Sequence, residues 1–370
     1  MNAALALASA LALAYAALVL RYWRALPKRP PAPPAALDPP PRVSLLVAFR
    51  DEAANLPQLL DDLLAQDYPR DRWEVWLVDD HSQDDSPQIA RNWAGKGLEI
   101  NVLENPGQGK KSALAAARQH ATGQLWLQTD ADCRLGPGWV SSMAAAWRPG
   151  VAMLLGPVAL EPSRGLGQCL QALEFASLLA STAASACAGQ PILCNGANLA
   201  YDAQAWRQLR PDDRPDLASG DDMFLLQAFK KAQPGGIRFV LDARALARTR
   251  PQPTLRAFFD QRTRWTSKSR GYTDPWIVGV ALLVLLVNLA LLGLALGGFV
   301  HPRLWWAVLL LLLVKSLADR LLLGRYLALF GMGRLLRCFM PTQLLYPLYV
   351  GLVGLLGQFR PVNWKGRRGR

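Results

Sequence analysis

From Val43 onward, short apolar runs alternate with amphipathic stretches at a regular spacing. VSLLVAF is apolar almost throughout and too short for an ordinary helix, so it predicts a buried strand. ANLPQLLDDLLAQ carries leucines at helical spacing and predicts a helix with one apolar face. EVWLVDD, EINVLE and QLWLQTD read as further strands, with SPQIARNWA and KKSALAAARQHA as the helices between them. Apolar strands separated by helices predict an α/β unit with a mainly parallel sheet covered on both faces. Such sheets bind ligands beyond the carboxyl ends of their strands, so the residues following each strand carry the most information.

Longer apolar runs flank this alternation. Residues 3–20 carry no charge and are long enough to cross a bilayer, which predicts an N-terminal transmembrane helix over residues 1–23. A signal peptide is the competing reading, but a basic leading segment is missing. Arg21, Arg24, Lys28 and Arg29 follow the run and place the next domain on the cytoplasmic side of a cell membrane. Residues 24–42 include LPKRPPAPPAALDPPPR, which suits an extended linker rather than helix or sheet. The α/β domain is expected over 43–250, and an interfacial helix over 251–275.

Residues 276–359 hold three further runs. Trp276–Val300 is followed by a turn at His301, Pro302 and Arg303. The next run starts at Leu304 and contains Lys315, Asp319 and Arg320. The last, Phe339–Phe359, contains Pro341 and Pro347. Lys315 and Asp319 are spaced to pair on one helix face, and these charges are expected to snorkel toward the cytoplasmic end. Four crossings would carry the basic tail, residues 360–370, to the side its charge disfavours, so the fourth run is expected to be re-entrant or interfacial.

Composition sharpens this picture in two places. Among 370 residues, 51% are hydrophobic and the formal net charge is +13. The basic residues sit as membrane flanks and form no stripe interleaved with aromatics, which argues against a nucleic-acid partner. Cys133, Cys169, Cys187, Cys194 and Cys338 show no CxxC spacing, so buried free thiols in a reducing compartment are expected rather than zinc or disulfides.

The residues after the strands are acidic. EVWLVDD ends in Asp79 and Asp80, and TDADC places Asp130 and Asp132 two apart as the chain leaves a strand. Two such carboxylates can share a hard divalent cation, or divide between a cation and a ribose. NPGQGKKS invites comparison with a phosphate loop, but Glu104 stands where the first glycine would be and Lys111 where Ser or Thr would be. It is either a glycine turn opening a helix or a helix start that brings Lys110 to an anionic or polar nucleotide group. LASGDDMFLLQAF puts Asp221 and Asp222 at a helix start, as caps or as a general base at a cleft. CNGANLAY offers Asn195 and Asn198 to a sugar or simply to a turn.

Together these segments resemble the membrane-bound family 2 glycosyltransferases, the group of cellulose, chitin, hyaluronan and poly-N-acetylglucosamine synthases and ceramide glucosyltransferases. The motifs LLVAFRDEAANLPQLL, VDDHS, GKKSAL, TDADC, SGDD and QRTRW occur in the family's order between Val43 and Trp265. The acidic base motif has Asp221 where the family usually has Glu, and the early loop has Asp51-Glu52 where Asn-Glu is usual. The resemblance implies a GT-A fold, a nucleoside-diphosphate sugar donor (a UDP-sugar is expected), Mg²⁺ or Mn²⁺, and inversion at the anomeric carbon. It assigns Asp79, Asp80, Lys110, Asp130 and Glu52 to the donor, and Asp130 and Asp132 to the metal. Asp222 becomes the base, supported by Asp221.

In QRTRW, Gln261, Arg264 and Trp265 share one helix face. The resemblance gives Gln261 and Arg264 to the diphosphate leaving group and Trp265 to the acceptor path, while Arg262 and Lys268 are left for lipid headgroups. Leu255, Phe258 and Phe259 would turn toward the bilayer. Direct displacement needs no nucleophile, so His81, His120 and His301 have no catalytic part. The acceptor is expected to be a membrane-associated polysaccharide. The alternatives are single transfer to a lipid and, on another chemistry, a membrane-anchored nucleotidyltransferase, which would need neither SGDD nor QRTRW.

Overall fold

The computed structural model describes residues 2–32, 34–35, 37–161, 165–209, 221–359, 362–364 and 367–369. In chain order, helix α1 (Asn2–Ala25) precedes β1 (Val43–Phe49), α2 (Leu56–Leu64), β2 (Trp73–Asp79) and α3 (Ser86–Trp93). Then come β3 (Glu99–Glu104), α4 (Gly109–His120), β4 (Leu125–Thr129), β5 (Arg134–Leu135), α5 (Trp139–Ala146), β6 (Met153–Leu155) and β7 (Val158–Leu160). Helix α6 (Leu166–Cys187), β8 (Asn198–Asp202), α7 (Ala203–Leu209), α8 (Asp221–Ala232), β9 (Ile237–Phe239) and β10 (Ala247–Thr249) follow. The remainder is α9 (Leu255–Ser267), α10 (Pro275–Gly298), α11 (Trp305–Leu329), α12 (Phe339–Phe359), β11 (Val362–Trp364) and β12 (Arg367–Gly369).

These elements form two compact units. One comprises Arg29–Glu161 and Leu193–Arg250; the other comprises Met1–Lys28, Pro162–Ile192 and Pro251–Arg370.

The first unit is built on a seven-stranded sheet of order β3-β2-β1-β4-β8-β6-β9. The first four strands are parallel, and β8 runs antiparallel to both β4 and β6. The central strands β1 and β4 are buried because their residues are apolar on both faces: Val43, Leu45, Val47, Leu125 and Leu127 have no exposure, whereas β3 at the sheet edge leaves Glu99 and Glu104 exposed. Chain direction around β1 reverses the strand order, since β2 lies on one side and β4 on the other. That reversal opens a crevice at the carboxyl ends of β1 and β4. A second, three-stranded sheet of order β5-β10-β7 belongs to the same unit.

Asn198 shows how tightly the unit is pinned. It is fully buried, its Nδ2 donates to the carbonyls of Pro157 and Ala245 at 2.7 Å each, and its Oδ1 accepts from Trp139 Nε1 at 3.1 Å. With all these bonds made inside the protein, Asn198 does not line a sugar site, as CNGANLAY had suggested; it is a core fastener.

The second unit is helical. α1 packs along α11 and also meets α10 and α6, while α12 meets α9, α10 and α6. Pro275 and the Asp274 carboxylate, which accepts from the amides of Trp276 and Ile277 at 2.9 and 3.0 Å, set the start of α10. Arg325 donates to the carbonyls of Trp23 and Leu26, closing the end of α1. Residues 4–25 and 275–298 form the two helices long and apolar enough to cross a membrane among the described residues. α12 is one continuous helix through Pro347.

Three expectations change in this unit. Lys315 does not snorkel: it is buried, its Nζ donating to Asp319 Oδ2 at 2.7 Å and Gln343 Oε1 at 2.8 Å. Tyr15 OH completes the cluster on Asp319 Oδ1 at 2.6 Å. Burial of a charge demands such partners, and α1 and α12 supply what the sequence of α11 alone could not show. Cys169 and Cys338 are joined in a disulfide, because α6 packs against the turn before α12 across a sequence separation of 169. Of the free thiols Cys133 is buried, whereas Cys187 is exposed and Cys194 half-buried.

Lys315→Met takes the counter-charge from the part-buried Asp319 carboxylate and leaves it to the neutral donors Tyr15 and Gln343, a loss of up to about 3–5 kcal/mol, the scale of a broken buried pair. We expect a clearly lower thermal midpoint of the solubilised protein, partly restored in Lys315→Met/Asp319→Leu. A midpoint unchanged in the single variant would contradict the burial of this pair.

Candidate active site

The crevice is floored by the loops after β1, β2, β3 and β4. Two residues there take left-handed backbone conformations without being glycine: Asp51 (φ 50°) and His81 (φ 58°). Such strain is tolerated where surroundings over-determine it, and here the two loops interlock. Asp51 Oδ1 accepts from the Gln83 amide at 2.7 Å, and the Asp51 and Glu52 amides donate to Ser82 Oγ and Ser86 Oγ at 3.0 and 2.8 Å. His81 Nε2 is 2.8 Å from the Gly107 carbonyl.

Asp80 is fully buried, and its Oδ1 accepts from Asn105 Nδ2 at 2.6 Å and from the Gly109 amide at 2.8 Å. It therefore shapes the glycine turn from within. Asn105 is the partner that sequence reasoning passed over. It is buried, and its Oδ1 also accepts from the Gly107 amide and Ser112 Oγ, at 3.1 and 2.7 Å. The signal was present as the first letter of NPGQGKKS, but an Asn before Pro-Gly reads as turn chemistry. Asp79 is nearly buried, with Oδ1 accepting from the Ser82 amide and hydroxyl at 3.1 and 2.5 Å.

This scaffold directs Lys110. Gly109 adopts φ +84°, α4 starts there, and Lys110 Nζ makes an ion pair with Asp130 Oδ1. Gly196 is the close neighbour that permits this arrangement. A side chain there would come within 3.0 Å of Gln128 Nε2, 3.3 Å of Lys110 Nζ and 3.7 Å of Asp222 Cβ. The Gly196 amide donates to Asp222 Oδ2 at 3.3 Å, and the Met223 amide to Asp222 Oδ1 at 2.8 Å. So Lys110, Asp130 and Asp222 are gathered about one glycine, although they come from three separate motifs. Asp221 opens α8 beside Asp222.

Asp132 lies in the cleft lined by Asn55, Gln58, Arg134, Glu161, Arg248, Thr249 and Arg250, and accepts from Thr249 Oγ1 at 3.2 Å. Dehydration, then the charges of Asp130 and Glu52, push its carboxyl up to about 6. The residue is exposed at the cleft mouth, which limits what dehydration can sustain and leaves the two negative neighbours as the durable cause. Among the described residues no three His, Cys, Asp or Glu side chains close into a metal cage. Asp130 and Asp132 nevertheless fit Mg²⁺ or Mn²⁺: both are oxygen donors, and mutual repulsion favours a cation between them. Ions of this kind also take water and phosphate oxygens as ligands.

Gln261, Arg264 and Trp265 belong to the helical unit, on α9. Arg262 does not reach lipid headgroups. It is buried and pairs with Glu174, because α6 and α12 cover this face of α9. Phe258 is likewise buried, whereas Leu255 remains exposed.

A raised Asp132 carboxyl means that the folded, metal-free protein holds a proton that the unfolded chain has released. This group's contribution to stability is fully present below about pH 4 and is lost as pH rises through about 6. We expect the metal-free thermal midpoint of Asp132→Asn to lack that part of the decline. Added Mn²⁺ should raise the wild-type midpoint at pH 7 and leave the variant unmoved. Equal metal responses in both proteins would contradict the assignment.

A family model described as Glycosyl transferase family 2 matches residues 44–164, and one described as Glycosyl transferase family group 2 matches residues 127–354. Beta-monoglucosyldiacylglycerol synthase of Synechocystis sp. is 33% identical over 124 residues, covering 31% of this chain and 26% of that protein. Dolichyl-phosphate beta-glucosyltransferase ALG5C of Trichomonas vaginalis is 31% identical over 96 residues, covering 24% of this chain and 28% of that protein. The chain thus spans about a quarter of the length of these curated relatives. The mannosyltransferase PcManGT from Pyrobaculum calidifontis, solved in complex with GDP-Man and Mn²⁺, has a TM-score of 0.51 at 22% identity, covering 92% of this chain and 99% of that one. That likeness is one of fold, and it makes the sheet unit a mixed, mainly parallel GT-A domain. With more than half of its length matched, the chain belongs to glycosyl transferase family group 2.

Proposed function

We propose that this protein transfers a single sugar, with inversion, from a nucleoside-diphosphate sugar to a lipid acceptor in a membrane. The observation that carries the reading is the gathering of Lys110, Asp130 and Asp222 about Gly196, with Asp132 in the field of Asp130 and Glu52. This supplies both halves of a displacement: positive charge for a diphosphate leaving group and a carboxylate for the acceptor proton.

Lys110 holds Asp130 in place and adds an ammonium where the diphosphate gains charge. Asp130 and Asp132 would hold Mg²⁺ or Mn²⁺, which when bound neutralises charge growing on the diphosphate. Asp222, held by two backbone amides, takes the proton from the acceptor hydroxyl as it attacks the anomeric carbon. Asp79 and Glu52 border the nucleotide side, and Asp80 keeps the glycine turn in shape. The QRTRW residues enter from the sequence motif: Gln261 and Arg264 for the leaving group, Trp265 for the acceptor.

Lipid is favoured over the polysaccharide expected from the motifs because one relative is named for a monoglucosyldiacylglycerol product and another for glucosyl transfer to dolichyl phosphate. PcManGT, bound to GDP-Man and Mn²⁺, supports the donor class and the metal. The helical unit supports a bilayer location, since Leu13, Leu282, Leu286, Leu313, Leu317 and Leu348 all point outward uncovered.

Asp222→Asn should lower transfer by about 100- to 10,000-fold while donor affinity changes by less than about threefold. Normal turnover in that variant would overturn the base assignment. Chelation with EDTA should stop transfer, with Mg²⁺ or Mn²⁺ restoring it. Mass analysis of the product should show one sugar on a lipid, and a polymer ladder would overturn the acceptor class.

A further inference from the structure

The helical unit carries a buried ion pair that this reaction scheme does not use. Arg262 and Glu174 are 2% and 5% exposed. Arg262 Nη2 meets Glu174 Oε2 at 2.6 Å, and Nε meets the same oxygen at 3.1 Å. Tyr349 OH, from α12, donates to Glu174 Oε1 at 3.0 Å. The third guanidinium nitrogen, Nη1, donates to Gln261 Oε1, and the Arg262 guanidinium carbon lies 4.3 Å from the Trp265 ring centre.

An ion pair buried this deeply adds little stability over apolar packing of the same volume. What this one adds is orientation. Arg is a donor only, so the Gln261 amide must turn its oxygen toward Arg262. Its NH₂ group is then the end left to donate, which is the polarity an anionic diphosphate requires. Stacking on the guanidinium fixes the Trp265 ring on one side, and Phe175 lies against it with ring centres 5.9 Å apart. One turn before Glu174 on α6, Gln171 makes two bonds to the Gln252 backbone, at 3.0 and 3.2 Å. α6 therefore grips both the approach to α9 and its QRTRW turn.

We propose that Glu174 is a positioning residue for sugar transfer: by holding Arg262, it sets the orientation of Gln261 and Trp265. This rests on the proposed function.

The test is donor kinetics on full-length protein in lipid nanodiscs, with folded enzyme quantified by size exclusion. Glu174→Gln should lower kcat by about tenfold or more while donor KM stays within about twofold, as for an interaction made in the transition state. Glu174→Gln/Gln261→Ala should be little slower than the slower single variant, because both disable one device. Arg262→Lys keeps the charge but cannot fork to Glu174 and Gln261 together, so it should show the same kcat loss; it serves should Glu174→Gln fail to fold. A merely structural pair would reduce folded yield and leave kcat per folded enzyme unchanged. That result, or additive losses in the double variant, overturns the proposal alone. Wild-type nanodiscs that transfer no sugar from any donor overturn the proposed function and this proposal with it.

Discussion

The ion pair between Lys110 and Asp130 ties the helix start after β3 to the carboxyl end of β4, and the site depends on it. Asp132 lies in the field of both Asp130 and Glu52, so three negative groups share one corner of the crevice. Without the ammonium that corner would repel itself. With it, the corner stays folded yet keeps an appetite for further positive charge. Everything placed around the pair serves its geometry: Asp80 and Asn105 hold the glycine turn from below, and Gly196 leaves room for the lysine head.

The helical unit follows the same logic with a different outcome. The charged residues set between its helices have partners from another helix: Lys315 and Asp319 meet Gln343 and Tyr15, and Arg262 meets Glu174, which also accepts from Tyr349. In apolar surroundings such networks fix which helices meet and how they are rotated, because any other arrangement strands a charge. The outward leucines of the same helices carry no such information, as lipid tails and leucines are interchangeable solvents for one another.

Much of the sheet unit was legible in the sequence because its signals are local. Each apolar run from VSLLVAF to QLWLQTD forms the strand its pattern implies, and GKKS opens a helix. The carboxylates at strand ends were legible for the same reason: a parallel sheet puts them there by construction. Long-range pairings were not legible. Glu174 pairs with a residue 88 positions away, and Cys169 with one 169 positions away, and neither has any spacing to betray it. Asn198 looked like a polar loop residue because its three partners come from Trp139, Pro157 and Ala245. Lys315 looked like a snorkelling charge because its second partner, Gln343, lies on another helix.

The most direct test of the central claim is to locate a bound metal. Crystals or cryo-EM grids of the protein with Mn²⁺ and a nucleoside diphosphate would show where the ion sits. The account predicts Mn²⁺ within bonding distance of Asp130 or Asp132 carboxylate oxygens, with the diphosphate beside Lys110. An ion and nucleotide bound elsewhere, with this crevice empty, would contradict it.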